Sequence, residues 1–174
     1  DILVSNAGAA HAGPMLSISN DELRNAFELN FFSHYSFSTE AAKILKNQNR
    51  GGQILFNISK QAVNPGKNFG AYGLPKATTF FLMLHLSIEL GSDGIRVNGI
   101  NADRIRSGLL TDDFISSRAK SRGVSETEYM AGNLLNKEVK AEHVANAFTS
   151  LACAESTTGH VMTVDGGNIE ASLR

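Results

Sequence analysis

Short runs of consecutive apolar residues alternate along this chain with longer stretches in which apolar positions return every three or four residues. The runs 2–5 (ILVS), 53–58 (QILFNI), 95–100 (IRVNGI) and 160–164 (HVMTV) are rich in β-branched residues and bounded by Gly or Asn, as strands buried on both faces are. Strand and helix therefore alternate, which predicts an α/β fold with a parallel sheet covered on both sides. The first helix is expected from Ser19 to about Asn47. There Ser19 and Glu22 have capping-box spacing, and Leu23, Phe27, Phe31 and Tyr35 recur at four-residue intervals. A second long helix is expected from just before Tyr72 to near Gly91, with Pro75 in its first turn, where no intrahelical N–H bond is lost. Its body, TTFFLMLHLSIEL, is apolar round most of its circumference. One face is expected on the sheet and another on a second subunit, in a homodimer or homotetramer built through helices 20–47 and 71–91. Residues 104–137 are mostly polar and hold no sustained period, so they read as an excursion over the site, in which Ser125 and Glu128 suit the cap of a short helix before Tyr129. Ala141–Cys153 forms the last amphipathic helix.

At 174 residues, 42% hydrophobic and 19% charged, the chain is expected to make one domain, 1–174, with a sizeable core. A net charge of −1 with scattered Lys and Arg gives no electrostatic footprint for nucleic acid or an anionic membrane. No apolar stretch is long enough to span a bilayer. The single cysteine, Cys153, excludes an internal disulfide, fits a reducing, cytoplasmic compartment and is expected to be a buried small hydrophobe. The five histidines never fall at metal-ligand spacing, so no metal is expected. The chain opens on Asp1 and enters ILVSNAGAA without an initiator methionine or charged leader, and it reads as cut rather than begun.

Candidate chemistry centres on GAYGLPKA, where Tyr72 and Lys76 stand i, i+4 on one helix face. The ammonium is expected to lower the pKa of the phenol and make it a usable proton donor and acceptor. Ser59 follows a buried strand, Asn30 lies within FELNFF, and S-N-A-G ends the first strand at Ser5 to Gly8. Gly94 to Asn98 read G-I-R-V-N, and Thr158 to Gly167 read T-G-x-x-x-x-V-D-G-G. Taken in their order along the chain, these six marks resemble the short-chain dehydrogenase/reductase family.

The resemblance implies a doubly wound sheet of which this chain holds strands 4 to 7, without the N-terminal glycine-rich phosphate loop. It implies NAD or NADP in the complete parent and hydride exchange with a small alcohol or carbonyl substrate. Tyr72 would be general acid/base and also border the cofactor, Lys76 would tune the phenol and bond the nicotinamide ribose, Ser59 would bond the substrate oxygen, and Asn30 would hold a relay water. Asn6, Ala7 and Gly8 would border the adenosine side of the cofactor, while Ile105 and Ser107 would meet the carboxamide. Lys60, Pro75 and the run Asn101-Ala102-Asp103, where the family usually has Pro-Gly, depart from its pattern. For Asp103, substrate selection and a salt bridge to Arg104 or Arg106 both stand open. The N-A-D run, with R-A-K-S-R-G at Arg118 to Gly123, Leu134-Leu135 and T-T-G at Thr157 to Gly159, is similar to the dehydrogenase module of bifunctional rhamnulose-phosphate aldolase/alcohol dehydrogenases, which implies lactaldehyde or another small hydroxy-aldehyde. The alternative function is a truncated, non-enzymatic remnant or dimerisation module that binds no cofactor, and the isolated 174 residues are expected to show no turnover.

Overall fold

The computed structural model describes residues 1–168; positions 169–174 of the expected domain lie outside the described residues. Strands β1 (Ile2–Ser5), β2 (Gly52–Asn57), β3 (Ile95–Ala102) and β4 (Val161–Val164) pair in parallel, in the order β1-β2-β3-β4. Between β1 and β2 run α1 (Asn20–Phe27), a π-helical turn (Glu28–Phe32) and α2 (Ser33–Gln48). Helix α3 (Gly70–Leu90) joins β2 to β3, and α4 (Asp112–Arg122), α5 (Glu126–Met130) and α6 (Ala141–Cys153) precede β4. The α/β class and the four strands thus follow the hydrophobic pattern. Among the described residues no helix is long and apolar enough to cross a membrane.

Both faces of the sheet are covered, as near-continuous apolar strands require. Ile54 and Phe56 of β2 join Ala42 and Leu45 of α2 and Met83, Leu86 and Leu90 of α3 in one core. On the other face Leu55 meets Ile100, Ala147 and Leu151. Gln53 also faces that side and donates its amide to the Leu151 carbonyl at 2.8 Å, so its burial leaves the donor satisfied. Strand β1 is the outer strand, paired only with β2 among the described residues, and its Ile2 and Val4 are exposed.

Several local expectations meet a different outcome. Pro75 is the sixth residue of α3, past the first turn, because the helix begins at Gly70; the bond it cannot donate is the one to the Ala71 carbonyl. Tertiary packing holds the helix through that defect, since Ala71, Tyr72, Gly73, Pro75 and Lys76 are all buried. Cys153 is exposed, not buried, because the inward positions of α6 are Ala147 and Leu151. In the first long helix Leu23, Phe27 and Phe31 are only partly buried and Tyr35 is exposed. The buried positions are Ala26, Asn30, His34, Ser38, Ala42 and Leu45, all but the last small or polar, which lets the helix approach the sheet closely.

Residues 104–137 are more ordered than their composition suggests. The Thr111 hydroxyl accepts from the Phe114 N–H to start α4, and Gly123, at φ 69°, ends it in the left-handed conformation. Ser125 and Glu128 form the expected capping box of α5, which contains Tyr129. Leu110, Ile115, Ala119, Tyr129 and Met130 make a small core of their own beside the C-terminal ends of the strands.

Candidate active site

The segment after β2 turns back at Ser59, whose hydroxyl accepts from the Gln61 N–H to cap a short 3-10 turn, Lys60–Ala62. Helix α3 packs against that turn at Gly73, where a Cβ would lie 3.0 Å from the Gln61 carbonyl oxygen, and this close approach brings Tyr72 beside Ser59. Tyr72 is 7% exposed and Lys76 2%. The Lys76 Nζ donates to the Asn57 carbonyl at 2.9 Å and lies 5.9 Å from the centroid of the Tyr72 ring.

Burial, rather than the lysine, governs the phenol. It raises the Tyr72 pKa above its usual value, against the opposing effect of a hydrogen bond with Ser59. The expected lowering by Lys76 is therefore not what this geometry gives: the ammonium lies at the ring, bonded to a backbone carbonyl, and burial pulls its own pKa down to about 8.

Asn30 sits in the π-helical turn and is buried. Its Nδ2 donates to the Ala26 carbonyl one turn back at 3.1 Å and to the Ala9 carbonyl at 3.0 Å, while its Oδ1 accepts from the Ala9 N–H at 3.2 Å. A side chain that takes over a helix carbonyl accompanies the widened turn. The amide thereby clips the segment after β1 to the helix. Gly8 is required there, since a Cβ would fall 2.8 Å from Asn30 Oδ1 and 3.7 Å from Lys76 Nζ.

One turn along, buried His34 shares a 2.6 Å hydrogen bond between its Nδ1 and the Ser5 hydroxyl. Its pKa is lowered to about 4, first by burial and then by the charge of Lys76; the Ala7 backbone opposes the shift without offsetting it, and Nε2 has no hydrogen bond of good geometry. Unfolded, the imidazole titrates near 6.5, so the neutral buried ring contributes stability above that pH that is lost as pH falls toward about 4. His34→Gln should therefore flatten the dependence of the unfolding free energy on pH between 6.5 and 4, as measured by denaturant titration. An unchanged slope would remove His34 as its source.

Ser59 and Tyr72 open into a cleft of about 180 Å³ that is also lined by Phe69, Asp103, Ile105 and Ser107. A neighbouring cavity of about 480 Å³ is lined by Asn6, Ala7 and Gly8. Asn57, Ala102, Ile105 and Ser107 line both, so the catalytic and cofactor candidates face each other across a common wall. Lys76, bonded to the Asn57 carbonyl, and Asn30, beside Gly8, line neither cavity. Asn6 ties the strand ends together, accepting from the Asn57 amide at 2.7 Å. The Ser107 hydroxyl donates to the Ile105 carbonyl at 3.2 Å and accepts from the N–H groups of Leu109 and Leu110, each at 3.3 Å. Asp103 takes the salt-bridge role: Arg104 Nε is 3.4 Å away, Lys60 Nζ 3.9 Å, and the Asn168 amide donates to it. Arg106 instead pairs with Asp112 and Glu138. Sequence reasoning missed Phe69, Asn57 and His34, and it noted Arg118 and Arg122 only as part of a short resemblance. Nothing in the local pattern marks them, because the cleft assembles them from separate elements. Among the described residues no three His, Cys, Asp or Glu side chains gather as metal ligands do.

Comparison with known proteins gives relatives of one kind. The chain is 34% identical over 175 residues to the uncharacterized oxidoreductase YuxG of Bacillus subtilis (strain 168), covering 96% of this chain and 25% of that protein. It is 30% identical over 172 residues to the 7alpha-hydroxysteroid dehydrogenase of Escherichia coli (strain K12), covering 98% of this chain and 64% of that one. It thus spans less than two thirds of the length of either. A solved 4-hydroxyisoleucine dehydrogenase complexed with NADH superposes with a TM-score of 0.80 at 25% identity, over 96% of this chain and 68% of that one. The family described as enoyl-(acyl carrier protein) reductase matches residues 1–168. With Ser59, Tyr72 and Lys76 gathered at the C-terminal ends of parallel strands, and with relatives that are oxidoreductases and dehydrogenases, the chain belongs to the short-chain dehydrogenase/reductase family.

Proposed function

We propose that the protein carrying this chain transfers a hydride between NAD or NADP and a small alcohol or carbonyl compound, with Tyr72 as general acid/base. One observation carries the reading: Tyr72 and Ser59 converge on a cleft whose wall at Ile105 and Ser107 is shared with the cavity lined by Asn6, Ala7 and Gly8. The residues present fit such a cofactor. The wall at Ala7 and Gly8 is free of bulky side chains, and Lys76 lies directly behind it, where it would hold the ribose hydroxyls. A bound nicotinamide supplies or accepts the hydride.

The chain's own residues handle the proton and the oxygen. The Tyr72 hydroxyl and the Ser59 hydroxyl would both bond the substrate oxygen, so charge that develops on it meets fixed donors. Asn30, behind Lys76, would hold the water that connects the lysine to solvent. The cleft is below the volume typical of sites for drug-sized ligands, which favours a compact substrate. The test is to incubate the full-length protein with each reduced dinucleotide and a series of small ketones and aldehydes, and to follow loss of the reduced nicotinamide absorbance. A protein that binds neither dinucleotide and reduces no carbonyl compound would overturn the reading in favour of a non-enzymatic module.

The same reading includes a homodimer or homotetramer. Tyr35, Phe37 and Ile44 of α2 and Leu74, Phe81 and Ile88 of α3 are exposed apolar residues on two helices that pack against each other. Phe81→Glu combined with Ile88→Glu should convert the protein to monomers by light scattering. A wild-type mass in that variant would place the interface elsewhere.

A further inference from the structure

We infer that Arg118 and Arg122 form an anion-recognition wall of the Tyr72 cleft, so that the substrate is a small hydroxy or keto compound bearing a carboxylate or phosphate group. This rests on the hydride-transfer reading of the same site and names its substrate class.

The charged lining of the cleft is unbalanced. Lys60, Arg104, Arg118 and Arg122 face one carboxylate, Asp103. That carboxylate is engaged by Lys60 and Arg104. Arg104 is further committed to the protein, donating from Nη1 to the carbonyls of Tyr129 at 2.7 Å and Gly132 at 3.3 Å. Arg118 and Arg122 differ. Neither has a carboxylate within 4.0 Å among the described residues, and the Arg118 Nε is buried without a hydrogen bond.

What holds these two guanidinium groups is aromatic. Arg118 lies over the Phe69 ring at 5.5 Å from its centroid, and Arg122 over Tyr129 at 5.2 Å. Stacking uses the face of the guanidinium and leaves its in-plane N–H donors for two oxygens of an oxyanion, the geometry that suits bidentate recognition. The two arginines also stand i, i+4 on α4, where like charges repel. The helix keeps them on the side that lines the cleft, following Phe114, and turns Ile115 and Ala119 into the core of the excursion. Two adjacent cations facing a cavity are accounted for by a ligand charge.

The placement suits the reaction. Phe69, on which Arg118 rests, caps α3, and its carbonyl accepts from the Tyr72 N–H at 3.1 Å. Arg118 thus rests on the residue three positions before the proposed acid/base, and both line the cleft. In a cleft of about 180 Å³ a molecule of a few carbons places its oxyanion on the arginines and its hydroxyl at Ser59 and Tyr72. A neutral hydroxy-aldehyde would bring no charge to balance either guanidinium.

The test pairs matched compounds on the full-length protein: 3-hydroxybutyrate against its methyl ester for the carboxylate, and glycerol 3-phosphate against glycerol for the phosphate. In at least one pair the anion should be favoured by about tenfold or more, in Kd by calorimetry and in kcat/KM with NAD or NADP, the size expected for one charge-assisted bidentate contact. Arg118→Gln should bring that pair to within about threefold, and Arg118→Lys should restore part of the preference. Which pair responds identifies the oxyanion. Equal binding of anion and neutral partner in both pairs, or an anion preference that survives Arg118→Gln in a folded variant, would overturn the inference. Turnover without charge preference would leave the hydride-transfer reading standing. Arg118-dependent anion binding without turnover of any compound would uphold the anion wall and remove that reading.

Discussion

Replacement of Tyr72 by Phe should reduce kcat/KM by two to four orders of magnitude, the range for losing one positioned general acid/base and equivalent to roughly 3 to 5 kcal/mol of transition-state stabilisation. The substitution removes a hydroxyl and little else. The ring is 7% exposed and packs at the start of α3, so the fold and the neighbouring cavity at Asn6, Ala7 and Gly8 should persist. Dinucleotide affinity should accordingly stay within about twofold, which separates loss of chemistry from loss of binding. The pH dependence adds a second readout. Burial holds the phenol above its usual pKa, so at neutral pH it is protonated, the form that donates to a carbonyl oxygen. Carbonyl reduction should therefore be near its plateau at neutral pH, whereas alcohol oxidation, which needs the deprotonated oxygen, should rise with pH. Both dependences should vanish in the Phe variant. Wild-type turnover there would take the proton-transfer role away from Tyr72.

Phe56→Ala should be the most destabilising of the simple core truncations, by about 3 to 5 kcal/mol. Phe56 is completely buried in the central strand β2, between the partners Ser5 of β1 and Gly99 of β3, and belongs to the core that joins the sheet to α2 and α3. That core cannot close over the cavity, because backbone pairing on both sides holds the strand in place. A domain with roughly 5 to 15 kcal/mol in reserve would lose a large share of it. The effect should also reach the site. The ring lies 6.2 Å from that of His34, and Asn57 and Ser59 follow it on the same segment. In denaturant titration the midpoint should fall with an unchanged slope, while Leu16→Ala, at a fully exposed position, should shift stability by less than about 0.5 kcal/mol. Equal effects at the two positions would contradict the assignment of the core.

How far the sequence alone reaches differs from element to element. The capping boxes at Ser19 and Ser125 were legible because each is a contact between residues three apart. The four strands were legible because burial on both faces demands unbroken apolar runs. Of the candidate site, the proximity of residues was legible: Ser59 and Tyr72 line one cleft with Lys76 beside the Tyr72 ring, and Asn6, Ala7, Gly8, Ile105 and Ser107 line one cavity. The role of Asn30 was less so, since its clip on Ala9 couples positions 21 residues apart. The inward face of α1 and α2 was misread because size marks the apolar positions, whereas closeness to the sheet selects small ones such as Ala26, Ser38 and Ala42. Helix α4 escaped notice because only Ile115 and Ala119 turn inward, too few to make a period.

By itself, then, the amino-acid sequence determined the α/β class, the parallel strands, the helix starts and the identity of the acid/base candidates. All of these rest on local propensity, on periodicity or on residue types at short spacing. The tertiary structure alone decided that burial raises the Tyr72 phenol while Lys76 bonds a backbone carbonyl, that Cys153 lies outside, and that two arginines of α4 border the cleft. Desolvation, cavity walls and charge balance arise only when segments distant along the chain are brought together.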